Sequence, residues 1–224
     1  MNFEKINKIL AEESAFRLKQ AQHAIFIDLI DDWQEATVLP LALRQKLNQE
    51  CPLAIDGEVF IAKDGRTAKV LLTLSDGLKV ETVLMRHDGR NTVCVSSQVG
   101  CALGCKFCAT GKLGFKRNLS SDEIINQVLF FARYLKNPSP RPSPFVEGGG
   151  RREGVDEQRV NNIVFMGMGE PLLNYKNIIK TIRILNDKNA FNLGVRHFSI
   201  STVGIPEGIK KLAEENLAVN LAVS

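Results

Sequence analysis

The chain has 224 residues, 44% of them hydrophobic and 24% charged, with a net charge of +4. That is enough for one large domain, or a medium one with a small companion, and enough apolar content to bury a core without a disulfide scaffold. No run approaches the roughly 20 apolar residues of a membrane helix, and the acidic N-terminus MNFEKINKILAEESAF does not read as a signal peptide. The expected location is the cytoplasm, with no membrane partner; the mild basicity is compatible with a polyanion without requiring one.

In chain order, residues 1–52 read as a helical accessory domain. Leu10, Phe16, Leu18, Ile25, Ile27, Leu29 and Ile30 supply its apolar surface, Pro40 interrupts it, and LALRQKL forms a further short helix. Residues 53–90 change character. Asp64-Gly65 and Asp76-Gly77 each lie between β-rich runs, the sequence signal of a hairpin, and predict a small antiparallel meander of three strands.

From residue 91 to 224 strands and helices alternate. TVCVSS, NIVFMG, RHFSIST and LAVNLAVS read as strands, with helices over about 121–136, 175–187 and 206–215. Ser120 and Glu123 have capping-box spacing at the first of these helices. Repeated βα units imply a parallel sheet covered by helices and curling toward a barrel, so the fold class is α/β. Residues 137–159, NPSPRPSPFVEGGGRREGVDEQR, are too rich in Pro, Gly, Ser and charge to bury much surface, and read as a disordered insertion. Arg141, Arg151 and Arg152 within it are candidates for touching RNA, against the plainer reading of a solvated tether.

Five cysteines, Cys51, Cys94, Cys101, Cys105 and Cys108, form an odd set with three packed into eight residues. That fits metal binding in a reducing compartment better than disulfides. Structural zinc wants four ligands, and no fourth Cys or His lies near the triad. Three thiolates on a four-iron cluster leave one iron open, the mark of a working site. The triad follows a predicted strand, at the rim where parallel-sheet enzymes bind ligands. Phe107, between two of the cysteines, is placed to shield such a cluster. A zinc knuckle and incidental thiols are the competing readings, and Cys51 is left as a structural thiol.

Cys101-x3-Cys105-x2-Cys108 is also the motif of the radical S-adenosylmethionine (SAM) superfamily. CVSSQVGCALGCKFCATGKLGFKRNLSSDEIINQV at 94–128 and NIVFMGMGEPLLNY at 162–175 resemble the RNA adenine methyltransferases of the RlmN/Cfr type. DGLKVETVL and FSISTVGIPEGI share the resemblance, and FRLKQ and LPLALRQKL echo it more weakly. It implies an incomplete radical SAM (βα) barrel, with a 4Fe-4S cluster on Cys101, Cys105 and Cys108 and SAM as the second cofactor. It implies SAM contacts from Gly169, Glu170, Ser201 and Ser224, and a base at Glu81. Cys94 would resolve a covalent enzyme–RNA intermediate by forming a disulfide with a methyl-bearing cysteine. Without the resemblance, Gly167 to Pro171 is a tight turn, Ser201 and Ser224 are caps or turn formers, Cys94 is a small buried hydrophobe and Glu81 an exposed strand residue.

The implied partners are ribosomal RNA, with transfer RNA as a second candidate, and an electron donor such as flavodoxin; a full-length protein is expected to be a monomer. GEPLLN favours the adenine-C2 branch over the C8 branch. Lys106, Lys112, Lys116 and Arg117 are candidates for phosphate contact, against a merely solvated basic loop. The family continues beyond the position of Ser224 with further strands and the methyl-accepting cysteine, which this sequence lacks. The alternatives are an inactive or split fragment that retains cluster or RNA binding, a C8 methyltransferase, and a radical reaction on a small molecule. The expectation is a chain that holds a cluster but leaves RNA unmethylated; methyl-adenine formed from RNA, SAM and reductant contradicts it.

Overall fold

The computed structural model describes residues 1–87, 89–136 and 158–224. Residues 137–157, most of the expected insertion, lie outside the described residues, and Arg141, Arg151 and Arg152 with them. The N-terminal region is helical as its sequence predicts: α1 (Phe3–Leu10), α2 (Ala15–Phe26) and α3 (Leu41–Glu50), with a 3-10 turn at Trp33–Glu35. Asp32 caps that turn reciprocally with Glu35. Trp33 is fully buried, and its indole N–H donates to the Cys51 carbonyl at 2.9 Å.

The strands β1 (Gly57–Ile61), β2 (Thr67–Thr73), β3 (Lys79–His87) and β4 (Arg90–Cys94) form an antiparallel meander. Both expected Asp-Gly turns are present. Gly65 and Gly77 sit at φ 66° and 80°. The carboxylates of Asp64 and Asp76 accept from the N–H groups of Arg66 and Leu78 at 3.0 and 3.1 Å.

The meander has four strands rather than three. A third Asp-Gly pair, at 88–89, precedes β4, and Gly89 takes φ 72°. The strand β4 therefore plays two parts: it closes the meander against β3 and pairs in parallel with β7 (Asn162–Phe165). The strands β8 (Phe198–Thr202) and β9 (Asn220–Val223) extend the parallel part, giving one seven-stranded mixed sheet in the order β1-β2-β3-β4-β7-β8-β9.

Between the parallel strands run α5 (Ser121–Lys136), α6 (Tyr175–Asn186) and α7 (Pro206–Glu214). The capping box at α5 is formed: Ser120 N–H donates to the Glu123 carboxylate at 2.8 Å, and Glu123 N–H to the Ser120 hydroxyl at 3.2 Å. One sheet face, with Val70, Leu84, Val93, Ile163, Phe165 and Ile200, joins the apolar residues of α5, α6 and the N-terminal helices in a single buried cluster. Among the described residues the opposite face carries no such cover.

The predicted strand TVCVSS stops at Cys94, though Val95 still bonds to Val164 and Gly167. Residues 96–97 leave the ladder, and a short hairpin follows, β5 (Gln98–Gly100) with β6 (Phe115–Asn118), enclosing the cysteine loop and the one-turn α4 (Ala109–Lys112). The segment Ser96-Ser97-Gln98 is buried although polar, so every backbone group in it needs a partner. Gln127 of α5 supplies two: its carbonyl accepts from Ser96 N–H at 2.7 Å and its amide donates to Ser96 C=O at 3.0 Å. The Asn174 amide donates to Ser97 C=O at 2.7 Å. The Met168 carbonyl accepts from the N–H groups of Ser97 and Gln98 at 2.8 and 3.1 Å.

Gln127→Leu strips both partners from the Ser96 peptide while keeping the apolar face of α5. It is expected to cost about 2–4 kcal/mol and to lower the melting temperature by roughly 5–15 °C. Thermal denaturation showing a loss below about 1 kcal/mol contradicts this reading of the buried segment.

Candidate active site

The cysteine loop leaves β5 through Gly100, which takes φ 75° and lies so close to β6 that an added Cβ would sit 1.7 Å from the Gly114 carbonyl. No side chain fits there, so the loop exits flat against its own return strand. Within it Cys101 N–H donates to Gly114 C=O at 3.2 Å and Cys108 N–H to Cys105 C=O at 3.0 Å. Cys101, Cys105 and Cys108 are free and partly exposed. A hydrogen bond from the Gly111 backbone, reinforced by Thr110, pulls the Cys108 thiol below its usual range and favours its thiolate.

Among the described residues no three Cys, His, Asp or Glu side chains are gathered as a ready metal-holding set. The donor chemistry nevertheless fits a group that needs three thiolates: three free sulfurs share one eight-residue loop, and backbone hydrogen bonding lowers the pKa of one of them. Phe107 is 93% exposed on the same loop.

Four of the other candidates share the uncovered face of the sheet. Val83 is the register partner of Cys94, and Glu81 lies two residues along β3 on the same side. Cys94 pairs with Val164 and Val164 with Ser199, which puts Ser201 on that side too. Ser201 pairs with Ala222, and Ser224 continues the alternation while its N–H donates to Thr202 C=O at 3.0 Å. Glu81 is exposed and ion-paired with Lys69 at 3.0 Å. Cys94 is largely enclosed; burial pushes its thiol up to about 11, with a hydrogen bond from the Met166 backbone working the other way.

Gly169 and Glu170 form the rim above β7. Gly169 takes φ 99°, and an added Cβ would come within 2.5 Å of Gln98. Gly167 is equally confined, against Ser96. Glu170 is buried, and both its carboxylate oxygens are already used: one accepts from Leu172 N–H and the other from Val203 N–H, each at 3.1 Å. Its side chain fastens the loop after β7 to the loop after β8, so backbone groups are what this segment has to offer a ligand.

Of the basic candidates, Lys106, Lys112 and Lys116 are exposed. Arg117 instead makes a bidentate pair with Glu123 at 2.8 and 2.9 Å and a further pair with Asp76 at 2.7 Å. Sequence reasoning passed over Ser96, Gln98, Gln127 and Asn174. The available signal was polarity out of place: Ser-Ser-Gln directly after an apolar strand, and a glutamine within the apolar run IINQVLFF.

The strands β4, β7, β8 and β9 are parallel and joined by helices, with three free thiols on the hairpin loop after the first of them, and known proteins share this arrangement of the chain. A crystal structure of a radical SAM methyltransferase from Sphaerobacter thermophilus has the same fold: the TM-score is 0.85 at 37% identity, covering 100% of this chain and 61% of that one. No family model matches the chain. A probable dual-specificity RNA methyltransferase RlmN from Dictyoglomus turgidum is 44% identical over 212 residues, 95% of this chain and 56% of the relative. Its namesake from Thermus thermophilus is 42% identical over 224 residues, 98% of this chain and 58% of the relative. Ribosomal RNA large subunit methyltransferase N from Nitrosopumilus maritimus is 40% identical over 219 residues, 93% and 57% respectively. The chain is similar over nearly all of its length to these RlmN methyltransferases, and it spans little more than half of theirs.

With its thiol held near 11, about one Cys94 in a thousand is ionised at pH 8. Iodoacetamide is therefore expected to label the loop cysteines of the reduced, metal-free chain at pH 8 and to spare Cys94, whose labelling climbs as the pH approaches 11. Mass-spectrometric mapping that finds Cys94 modified as fast as Cys105 at pH 8 contradicts this.

Proposed function

We propose that this chain is the cofactor-binding part of a radical SAM methyltransferase that modifies adenine C2 of 23S ribosomal RNA, with transfer RNA as a second substrate. The observation that carries the reading is the set of three free thiols on the loop of the β5–β6 hairpin, together with Cys94, Glu81 and Ser201 on one face of the sheet, where no helix lies among the described residues. The names of the relatives support it: they are RNA methyltransferases, described as dual-specificity in two cases and as acting on large-subunit ribosomal RNA in the third.

Cys101, Cys105 and Cys108 would hold a 4Fe-4S cluster. When bound, it supplies an iron open to the amino and carboxylate groups of SAM and the electron that cleaves a carbon–sulfur bond of the sulfonium. The chain's own residues do the rest by placement. Gln98 fills the space a Gly169 side chain would take, so the Gly169–Glu170 backbone would meet a ligand with no side chain at Gly169. The Ser201 and Ser224 hydroxyls face the same side and can donate to, or accept from, SAM. Cys94 keeps its proton on Sγ at neutral pH, so its part as a resolving thiol needs a base. Glu81, two residues along the neighbouring strand from Cys94's register partner and on the same face, would serve once it gives up its ion pair with Lys69.

This reading takes the four parallel strands β4, β7, β8 and β9 as part of a (βα) barrel, with residues 1–52 as an accessory domain, residues 53–90 as the meander and an external donor such as flavodoxin supplying the electron. Anaerobic reconstitution of the chain is expected to yield about four iron and four sulfide per molecule, with an electron paramagnetic resonance signal that SAM perturbs. Cys105→Ala abolishes both. Tetrahedral zinc in place of iron, or a reduced iron signal indifferent to SAM, overturns the reading.

A further inference from the structure

Gln98 occupies a position that no part of the proposed chemistry uses. It is 1% exposed, at the foot of the hairpin that encloses the cysteine loop. Its carboxamide is engaged in two directions. The amide nitrogen donates to Asn118 Oδ1 at 2.7 Å, across the base of the cysteine hairpin, and the carbonyl accepts from Glu170 N–H at 2.9 Å. Gly169 packs directly on its aliphatic part, where even a methyl group would collide. From Glu170 the connection continues, because that carboxylate accepts from Val203 N–H beyond β8. A buried amide whose donor and acceptor are both satisfied fixes geometry in two directions, since leaving either end unpaired in an apolar setting is costly.

We infer that Gln98 is a positioning residue that couples the cluster-bearing hairpin to the SAM-facing rim. Its carboxamide ties the base of the cysteine loop to the Gly169–Glu170 backbone, and through Glu170 to the loop after β8, so that the three rim segments move as one body. The inference rests on the proposed function for what the rim binds, while the tie itself is a property of this chain.

The test compares Gln98→Leu with Gln98→Glu in the whole chain, anaerobically reconstituted. Leucine keeps the volume and removes both hydrogen bonds. Glutamate still accepts from Glu170 N–H and regains a donor if the Asn118 amide turns over. Gln98→Leu is expected to bind iron at the wild-type ratio, because the thiols are untouched, and to weaken SAM binding by about tenfold or more, whereas Gln98→Glu stays within about threefold of wild type. In nuclear magnetic resonance spectra of the metal-free chain, the Glu170 and Val203 amide signals should shift in Gln98→Leu and return toward their places in Gln98→Glu.

Should Gln98→Leu fail to fold, Asn118→Ala cuts the same tie at an exposed position and is expected to move the Val203 signal and weaken SAM binding in the same direction. Unmoved Glu170 and Val203 signals, or unchanged SAM affinity in a folded Gln98→Leu chain, overturn the inference. Wild-type chain that takes up iron but binds no SAM overturns the proposed function instead, and the amide signals then decide the coupling on their own.

Discussion

The arrangement depends on a short polar segment buried where an apolar strand ends. After Val95 the chain leaves its ladder, and Ser96 and Ser97 run through the interior before Gln98 opens the short hairpin with β6. Their backbone groups are satisfied from three sides: by Gln127 on α5, by Asn174 ahead of α6, and by the Met168 carbonyl between two glycines. Unpaired, such groups would each cost on the order of 1–3 kcal/mol. Paired, they leave the segment a single path, which sets where the cysteine loop leaves the sheet.

That constraint explains the glycines of the Gly-Met-Gly-Glu-Pro run. Gly167 and Gly169 cross so close to Ser96 and Gln98 that side chains are excluded, and the Ser96 hydroxyl, donating to Glu81 C=O at 2.5 Å and accepting from Met168 N–H at 2.9 Å, joins β3 to the same rim. Glu170 then spends its charge inward, on backbone donors. The result is a buried rim carrying a more exposed loop: the three cysteines are partly exposed and Phe107 is open to solvent, while the residues behind them are buried and hydrogen-bonded. Functional groups on a loop held by a rigid scaffold are the usual way for a site to accept a bulky cofactor without giving up its alignment.

Much of this was legible in the sequence wherever the signal is local. The Asp-Gly turns, the capping box at Ser120 and Glu123, the βα alternation and the three spaced cysteines each depend on residues within a few positions of one another, and each is found. What was not legible depends on distant partners. The hairpin strands QVG and FKRN are too short to show a period. Gln98 and Asn174 declare themselves only when Glu170 and Ser97, 72 and 77 residues away, are in place. Arg117 carried the sequence signature of a phosphate contact, yet Asp76, 41 residues upstream, and Glu123 claim its guanidinium. The placement of Glu81, Cys94, Ser201 and Ser224 on one face follows from strand register, which alternation suggests but only pairing fixes.

The central claim is that the segment from Ser96 to Gln98 is a locked anchor rather than part of the loop it precedes. Native-state amide hydrogen exchange in the metal-free chain reads this directly. The Ser96, Ser97 and Gln98 amides should exchange as slowly as those of β4 and the middle of α5, and far more slowly than residues 102–107. Exchange at these three positions as fast as in the cysteine loop would contradict it.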